Sequence, residues 1–302
     1  MAAAVLAQQV VNGITLGCLY ALVALGYSMV YGMLRLLNFA HGDVMMVGAF
    51  AGWAVIFALP AGFPPWVRLL AALVAASAAS IAVGLAVERF AYRPLRGAGR
   101  LAPLISVLGA SIVIRGGMAL ITGGRSKAIP TPALVGAGQL VISGVRIDAV
   151  RLLVMAATVV LLAGLDFMSN RTSLGRRIRA VADDQEAAAA TGVPVARVIA
   201  VTFALGSCLA GIAGILAGLY FTQIDFYMGF GMGLKAFVAA VLGGIGHMRG
   251  AALGGLALGL AESLGVALVG PLYRDLIVFV VLIVVLLLRP QGLIAQAPGR
   301  SV

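Results

Sequence analysis

The run VLAQQVVNGITLGCLYALVALGYSMVY (Val5–Tyr31) contains no charged residue, and its reading decides the fold class. A bilayer core about 30 Å thick takes roughly 20 helical residues at 1.5 Å each, so this stretch is long enough to cross as one helix. Shortly after it, LLNFAHGDVM (residues 36–45) crowds Asn38, His41 and Asp43 together before the next apolar run begins. The plainest reading of those polar residues is an interfacial turn, with Asn38 or Asp43 capping the helix that opens at Val44.

The same alternation of apolar run and short polar connection continues to the end of the chain. Further candidate spans are Val44–Leu59, Leu69–Val87, Leu101–Ile121, Ala149–Phe167, Val198–Tyr220, Gly231–Ile245, Ala251–Val269 and Leu276–Leu288. With 302 residues, 62% hydrophobic and 10% charged, the chain has room for about eight to ten transmembrane or re-entrant helices and for no large soluble domain. The expected class is an all-α polytopic membrane protein, with residues 1–302 forming a single transmembrane domain. Nothing basic precedes Arg35, so the first run is expected to remain as a helix rather than to be removed as a signal. Val44–Leu59 and Gly231–Ile245 are short, as re-entrant or broken segments beside polar cavities often are. These two segments, the second and the seventh, are the only hint of correspondence between two halves.

All basic residues except Lys127 and Lys235 are arginines, spread over short connections. That pattern explains the net charge of +11 by topology better than by nucleic acid. Arg89, Arg93, Arg96 and Arg100 lie in one connection, and Arg171, Arg176, Arg177, Arg179 and Arg197 in another, so both are expected on the cytoplasmic side. Between them, residues 122–148 alternate around Gly and Pro as an external hairpin would. Arg289 favours a cytoplasmic C-terminus, and the side of the N-terminus stays open. Gly214-x-x-x-Gly218, Gly229-x-x-x-Gly233 and Gly255-x-x-x-Gly259 have the spacing that lets helices approach closely, most simply within the chain.

Enzyme chemistry is hard to place here. Neither lysine stands in a phosphate-binding loop, His41 and His247 are far apart, and Cys18 and Cys208 lie singly in apolar runs. No G-x-S-x-G occurs. Movement of a solute across the membrane remains, yet one acid deep in a span, Glu262, is thin support for ion coupling, so the energy source is expected on another chain. An ion-coupled carrier or channel acting alone, and a purely structural scaffold, are the competing classes.

The connection RTSLGRRIRAVADDQEAAAATGVPVARVIAVTF joins an arginine cluster to the Ala-rich stretch Ala180–Ala190, which Gly192 and Pro194 bring to a stop. A short exposed helix there suits a partner's groove, and equally suits a solvated loop. The pattern G-R-R-x-R-A-x-A-x-D-x-x-x-A-x-x-x-G-V at Gly175–Val193 resembles the coupling segment of permeases of the branched-chain amino-acid (LIV-type) ABC transporters, in particular the LivH-like subunit. Val11–Asp43, Glu88–Arg96 and Lys235–Ser263 resemble the same subunit in order and spacing.

The resemblance implies a multi-pass permease of the bacterial inner membrane that is not itself an enzyme. Its implied partners are a LivM-like second permease, two cytoplasmic ABC ATPase subunits that hold ATP and Mg, a periplasmic substrate-binding protein and membrane lipid. No cofactor or metal is expected on this chain. Branched-chain or other hydrophobic amino acids are the implied cargo, with an amide, a urea-like solute or a polar amino acid as the alternative. The coupling segment spans about 171–197, and Gly175, Arg176, Arg177, Arg179, Ala182, Asp183, Asp184, Glu186, Ala187 and Gly192 are its candidate residues. For the arginines, lipid phosphates are equally good partners. For the substrate path the candidates are Asn12, Asn38, His41, Asp43, Lys235 and Glu262, whose polar groups suit a zwitterion's ammonium and carboxylate. The same residues also suit helix caps or bonds between helices, and Lys235 suits snorkelling or pairing with an acid. Gln223 and Asp225 suit contact with the binding protein.

Overall fold

The computed structural model describes residues 2–60, 62–99, 101–142, 144–289 and 291–293, so Arg100 lies outside the described residues. Each apolar run becomes a helix: α1 (Ala2–Leu34), α2 (His41–Ala58), α3 (Pro65–Ala86), α4 (Leu101–Thr122), the short α5 (Thr131–Val135), and α6 (Ala149–Arg171). The chain continues with α7 (Ser173–Asp183), α8 (Gln185–Ala190), α9 (Val195–Phe221), α10 (Met228–Gly243), α11 (Met248–Val269) and α12 (Arg274–Leu288). Among the described residues eight helical stretches are long and apolar enough to cross a bilayer, and α10 is shorter. The protein is a multi-pass membrane protein.

Strands are few. β2 (Gln139–Ile142) and β3 (Val145–Asp148) form an antiparallel hairpin within the segment where one is expected, and β1 (Lys127–Ala128) pairs with β4 (Gln223–Ile224). Both ladders mark one end of the bundle, the hairpin end. The α1 side chain of Gln8 donates to the Arg146 carbonyl at 3.1 Å and accepts from the Arg146 N–H at 2.8 Å, so α1 begins at this end. At the opposite, arginine-bearing end, the Gln185 side chain reaches the Met33 carbonyl at 3.4 Å.

Helix α1 is the axis of the bundle and is buried along nearly all its length, whereas α4, α6 and α12 expose apolar faces such as Leu120, Val160 and Leu287 that suit lipid. Its chief neighbour is α11. Gly13 and Gly17 of α1 face Gly255 and Gly259 of α11, and a Cβ on Gly17 would stand 2.8 Å from the Leu256 Cα. With little hydrophobic drive between helices in lipid, such backbone proximity supplies the packing. All three Gly-x-x-x-Gly pairs meet partners within the chain. Gly17→Val is therefore expected to cost about 1–3 kcal/mol by overpacking, read as a lowered thermal midpoint of the purified protein in detergent.

Helix α3 does not stop cleanly. It runs on through a π-helical turn, Val87–Tyr92, and a 3₁₀ turn, Arg93–Leu95. The wider turn directs buried Glu88 toward Arg93 at 3.2 Å and Arg96 at 2.6 Å, so two of the arginines counted as topology signals also neutralise a carboxylate. Tyr92 donates its hydroxyl to the Leu37 carbonyl at 2.9 Å.

Candidate functional site

The polar stretch at residues 36–45 starts with a reversal. Helix α1 ends at Leu34, Arg35 takes a left-handed φ of 51°, and the chain climbs back before α2 opens at His41. His41 packs against Gly26, where a side chain would collide with the imidazole, and its ring meets Tyr27 edge-on at 4.7 Å. The start of α2 is thus inside the bundle rather than at its surface. Neither Asn38 nor Asp43 caps it: the cap position is Ala40, and no side-chain cap bond forms there. The expected cap is replaced by a long-range pairing, because a buried carboxylate gains more from a cation than from amides already engaged. Asn38 Oδ1 and His41 Nε2 are buried without partners.

Asp43 turns toward α4. Its carboxylate receives Arg115 Nε at 3.1 Å and Nη2 at 3.2 Å, and the Ser111 hydroxyl bonds the same carboxylate. Ser111 and Arg115 lie one helical turn apart on α4, and Arg115 also donates to Ser111 Oγ at 3.2 Å. The guanidinium stacks over Phe230 at 4.6 Å and Tyr227 at 5.3 Å, both at the start of α10. Beside this group is a cavity of about 50 Å³ lined by Tyr27, Phe39, Ser111, Phe230 and Phe237 among others.

Two short helices meet here. A Cβ on Gly42 of α2 would strike the Gly229 carbonyl of α10, and Gly233 approaches the same glycine. From that contact α2 runs to the hairpin end, where Trp53 donates to the Ala128 carbonyl at 3.0 Å, and α10 runs to the opposite end, where Gly243 packs on Gly250. The second and seventh apolar segments are therefore adjacent and opposed. Asp225 stays with α10, accepting from the Tyr227 N–H at 2.7 Å.

The other path candidates fall elsewhere. Glu262 of α11 accepts from Tyr20 at 2.8 Å, from Lys235 at 3.1 Å and from Arg274 at 3.2 Å, while Lys235 also meets Asp275 at 2.9 Å. Two cations and two anions thus join α10, α11 and α12 in a balanced quartet. Asn12 is in neither group; it donates to Gln9 Oε1 and accepts from Gln8, both at 3.2 Å. Arg115, the counter-charge of Asp43, is absent from the sequence candidates. Its signal was available, an arginine in the middle of the apolar run SIVIRGGMALI.

In the coupling segment the Ala-rich helix is split. Asp184 is extended, and its Oδ1 accepts from the Glu186 N–H at 2.8 Å and the Ala187 N–H at 3.0 Å, so this acid ends α7 and caps α8 instead of lying mid-helix. Thr172 caps α7 through the Gly175 N–H at 3.1 Å, and Gly175 lies flush against the Ser169 carbonyl. Ile178, Val181 and Ala188 bury into a cluster with Met33, Tyr92 and Phe203. Arg179 donates to the Ser169 carbonyl, whereas Arg176, Arg177, Asp183, Glu186 and Ala187 are exposed. Ala182 is half-buried and Gly192 takes a φ of 83° at the turn that ends α8.

A family model described as branched-chain amino acid transport system / permease component matches residues 9–286. The chain is 43% identical over 301 residues to the high-affinity branched-chain amino acid transport system permease protein BraD of Pseudomonas aeruginosa, covering 98% of this chain and 97% of that one. It is 40% identical over 302 residues to the protein LivH of the same description from Escherichia coli, again covering 98% and 97%. Similarity extends to the autoinducer 2 import system permease protein LsrC of Klebsiella pneumoniae, at 33% over 216 residues, 67% of this chain and 58% of that one.

Proposed function

The chain belongs to the branched-chain amino acid transport system permease family, and from that premise we propose that it is the membrane permease subunit of an ATP-driven importer of branched-chain amino acids. The observation that carries this reading is the near-full-length similarity to two permeases described by that transport. In the proposed assembly a LivM-like permease lies beside this chain in the bacterial inner membrane, two ATPase subunits holding ATP and Mg dock on the arginine end, and a periplasmic binding protein docks on the hairpin end. This chain itself binds no nucleotide and holds no metal.

The proposed transmission path starts at α8. Closure of the ATPases moves α7 and α8, which share the Met33, Tyr92 and Phe203 cluster, and Tyr92 grips the reversal at Leu37. That reversal carries His41 and Asp43, so motion at the arginine end reaches the point where α2 meets α10. The nucleotide shifts the inward and outward forms only by its difference in binding free energy between them.

Vesicles containing this chain, the second permease and the ATPases are expected to take up radiolabelled leucine, isoleucine or valine only with ATP inside the ATPase compartment and binding protein outside. Uptake by this chain alone on an ion gradient overturns the reading. The alternative, another small solute as cargo, is checked by a panel of amides, urea-like solutes and polar amino acids in the same assay.

A further inference from the structure

The geometry points to Asp43, Ser111 and Arg115, with the aromatic cavity beside them, as a transit site for a zwitterionic aliphatic amino acid, a reading that rests on the transport function proposed above. In the empty site Asp43 and Arg115 neutralise each other. A zwitterion adds no net charge, so its carboxylate can take the guanidinium while its ammonium takes the aspartate, and the buried site stays neutral throughout the exchange. A solute with net charge breaks that balance and leaves one buried charge uncompensated.

Three features separate this pair from a purely structural bridge. Arg115 uses Nε and Nη2 on Asp43 and Ser111, while its Nη1 bonds no described group and is left to receive a carboxylate. Two helix N-termini, those of α2 and α10, converge on the spot, as Gly42 against Gly229 shows. Interrupted membrane helices direct just this kind of positive end toward an anionic substrate group. The third feature is the cavity. Tyr27, Phe39, Leu234 and Phe237 give it an apolar wall, and Ser111 joins that wall to the ion pair; at about 50 Å³ it is smaller than a leucine, so transit requires α2 and α10 to part further.

The charges of the quartet around Glu262 are already committed to one another. Lys235 bridges two acids and Glu262 is filled by three donors. Selection by aliphatic shape and zwitterionic charge thus belongs to the α2, α4 and α10 junction.

The test uses the complete transporter in vesicles, energised with ATP and loaded binding protein, and a diazirine analogue of leucine as photoprobe. Adducts mapped by mass spectrometry are expected on Tyr27, Phe39, Leu234 or Phe237, competed by leucine but not by 3-methylbutylamine, which lacks the carboxylate, or 4-methylpentanoate, which lacks the ammonium. Arg115→Gln should lower that labelling about tenfold or more, the loss expected for one charge-assisted bidentate contact. Because Arg115→Gln leaves Asp43 unpaired, Asp43→Leu/Arg115→Leu is tested beside it, its assembly checked by co-purification of the ATPase subunits. An assembled double variant that no longer labels supports the site; one that labels and transports as before overturns it. Leucine uptake by the unaltered complex with adducts only outside the cavity overturns the site alone. Absence of leucine uptake by the unaltered complex, with another solute carried, overturns the transport reading and the site together.

Discussion

Glu262→Ala is expected to destabilise the protein by about 3–5 kcal/mol, the scale of breaking one side of a buried ion pair. The carboxylate is almost wholly buried and accepts from Tyr20, Lys235 and Arg274, on three different helices. Truncation leaves Lys235 with a single acid and the Tyr20 hydroxyl with no acceptor. Lys235→Met/Glu262→Met has a different result, because it removes one charge of each sign. The remaining Arg274 and Asp275 side chains carry opposite charges, so the double substitution leaves no net charge behind. The double variant is expected to recover most of the stability lost in Glu262→Ala. Thermal and chemical unfolding of the detergent-purified protein measures both; equal losses in the single and double variants would show that Lys235 and Glu262 are not coupled. Transport per folded copy then asks the separate question of the substrate path. Retention in the double variant takes Lys235 and Glu262 off the path, and loss restores them to it.

What the sequence made legible follows from range. Apolar runs of about 20 residues are local signals, so every candidate span corresponds to a helix, and the shortness of Gly231–Ile245 carried over as α10, whereas Val44–Leu59 extends back to His41 as α2. The α1 direction was not local, because it depends on Gln8 meeting Arg146, 138 positions away in sequence. Asp43 and Arg115 are 72 positions apart, and no periodicity links them. The polar residues at 36–45 were therefore given a local partner, the helix they precede, whereas Asp43 pairs with a distant arginine. A rule for arginine within a span would have named Arg115; attention to acids passed it over. The break at Asp184 has another cause. Ala-rich sequence favours one helix on propensity alone, and a single aspartate that accepts from the amides two and three residues on overrides it.

Glu186→Arg with Ala187→Asp is expected to reduce transport by about a hundredfold or more, the scale of losing a contact worth roughly 3 kcal/mol, and to end co-purification of the ATPases. The site of these changes is what makes the result informative. Both side chains are exposed, and the cap from Asp184 engages only their backbone amides, so neither substitution removes a described side-chain contact within the chain. Unfolding of the isolated permease should stay within about 0.5 kcal/mol of the unaltered protein, as for ordinary surface changes. Ala188, the next residue, behaves differently, since it is buried beside Val181, Val198 and Ile199 and seats α8 on the bundle. Loss of transport with normal folding and lost ATPase binding identifies α8 as the docking element. Loss of transport with the ATPases still bound would move the docking surface elsewhere and leave α8 as part of the path to Met33 and the Leu37 reversal. Unchanged transport would reduce the segment to a solvated loop, and the arginines beside it to topology signals alone.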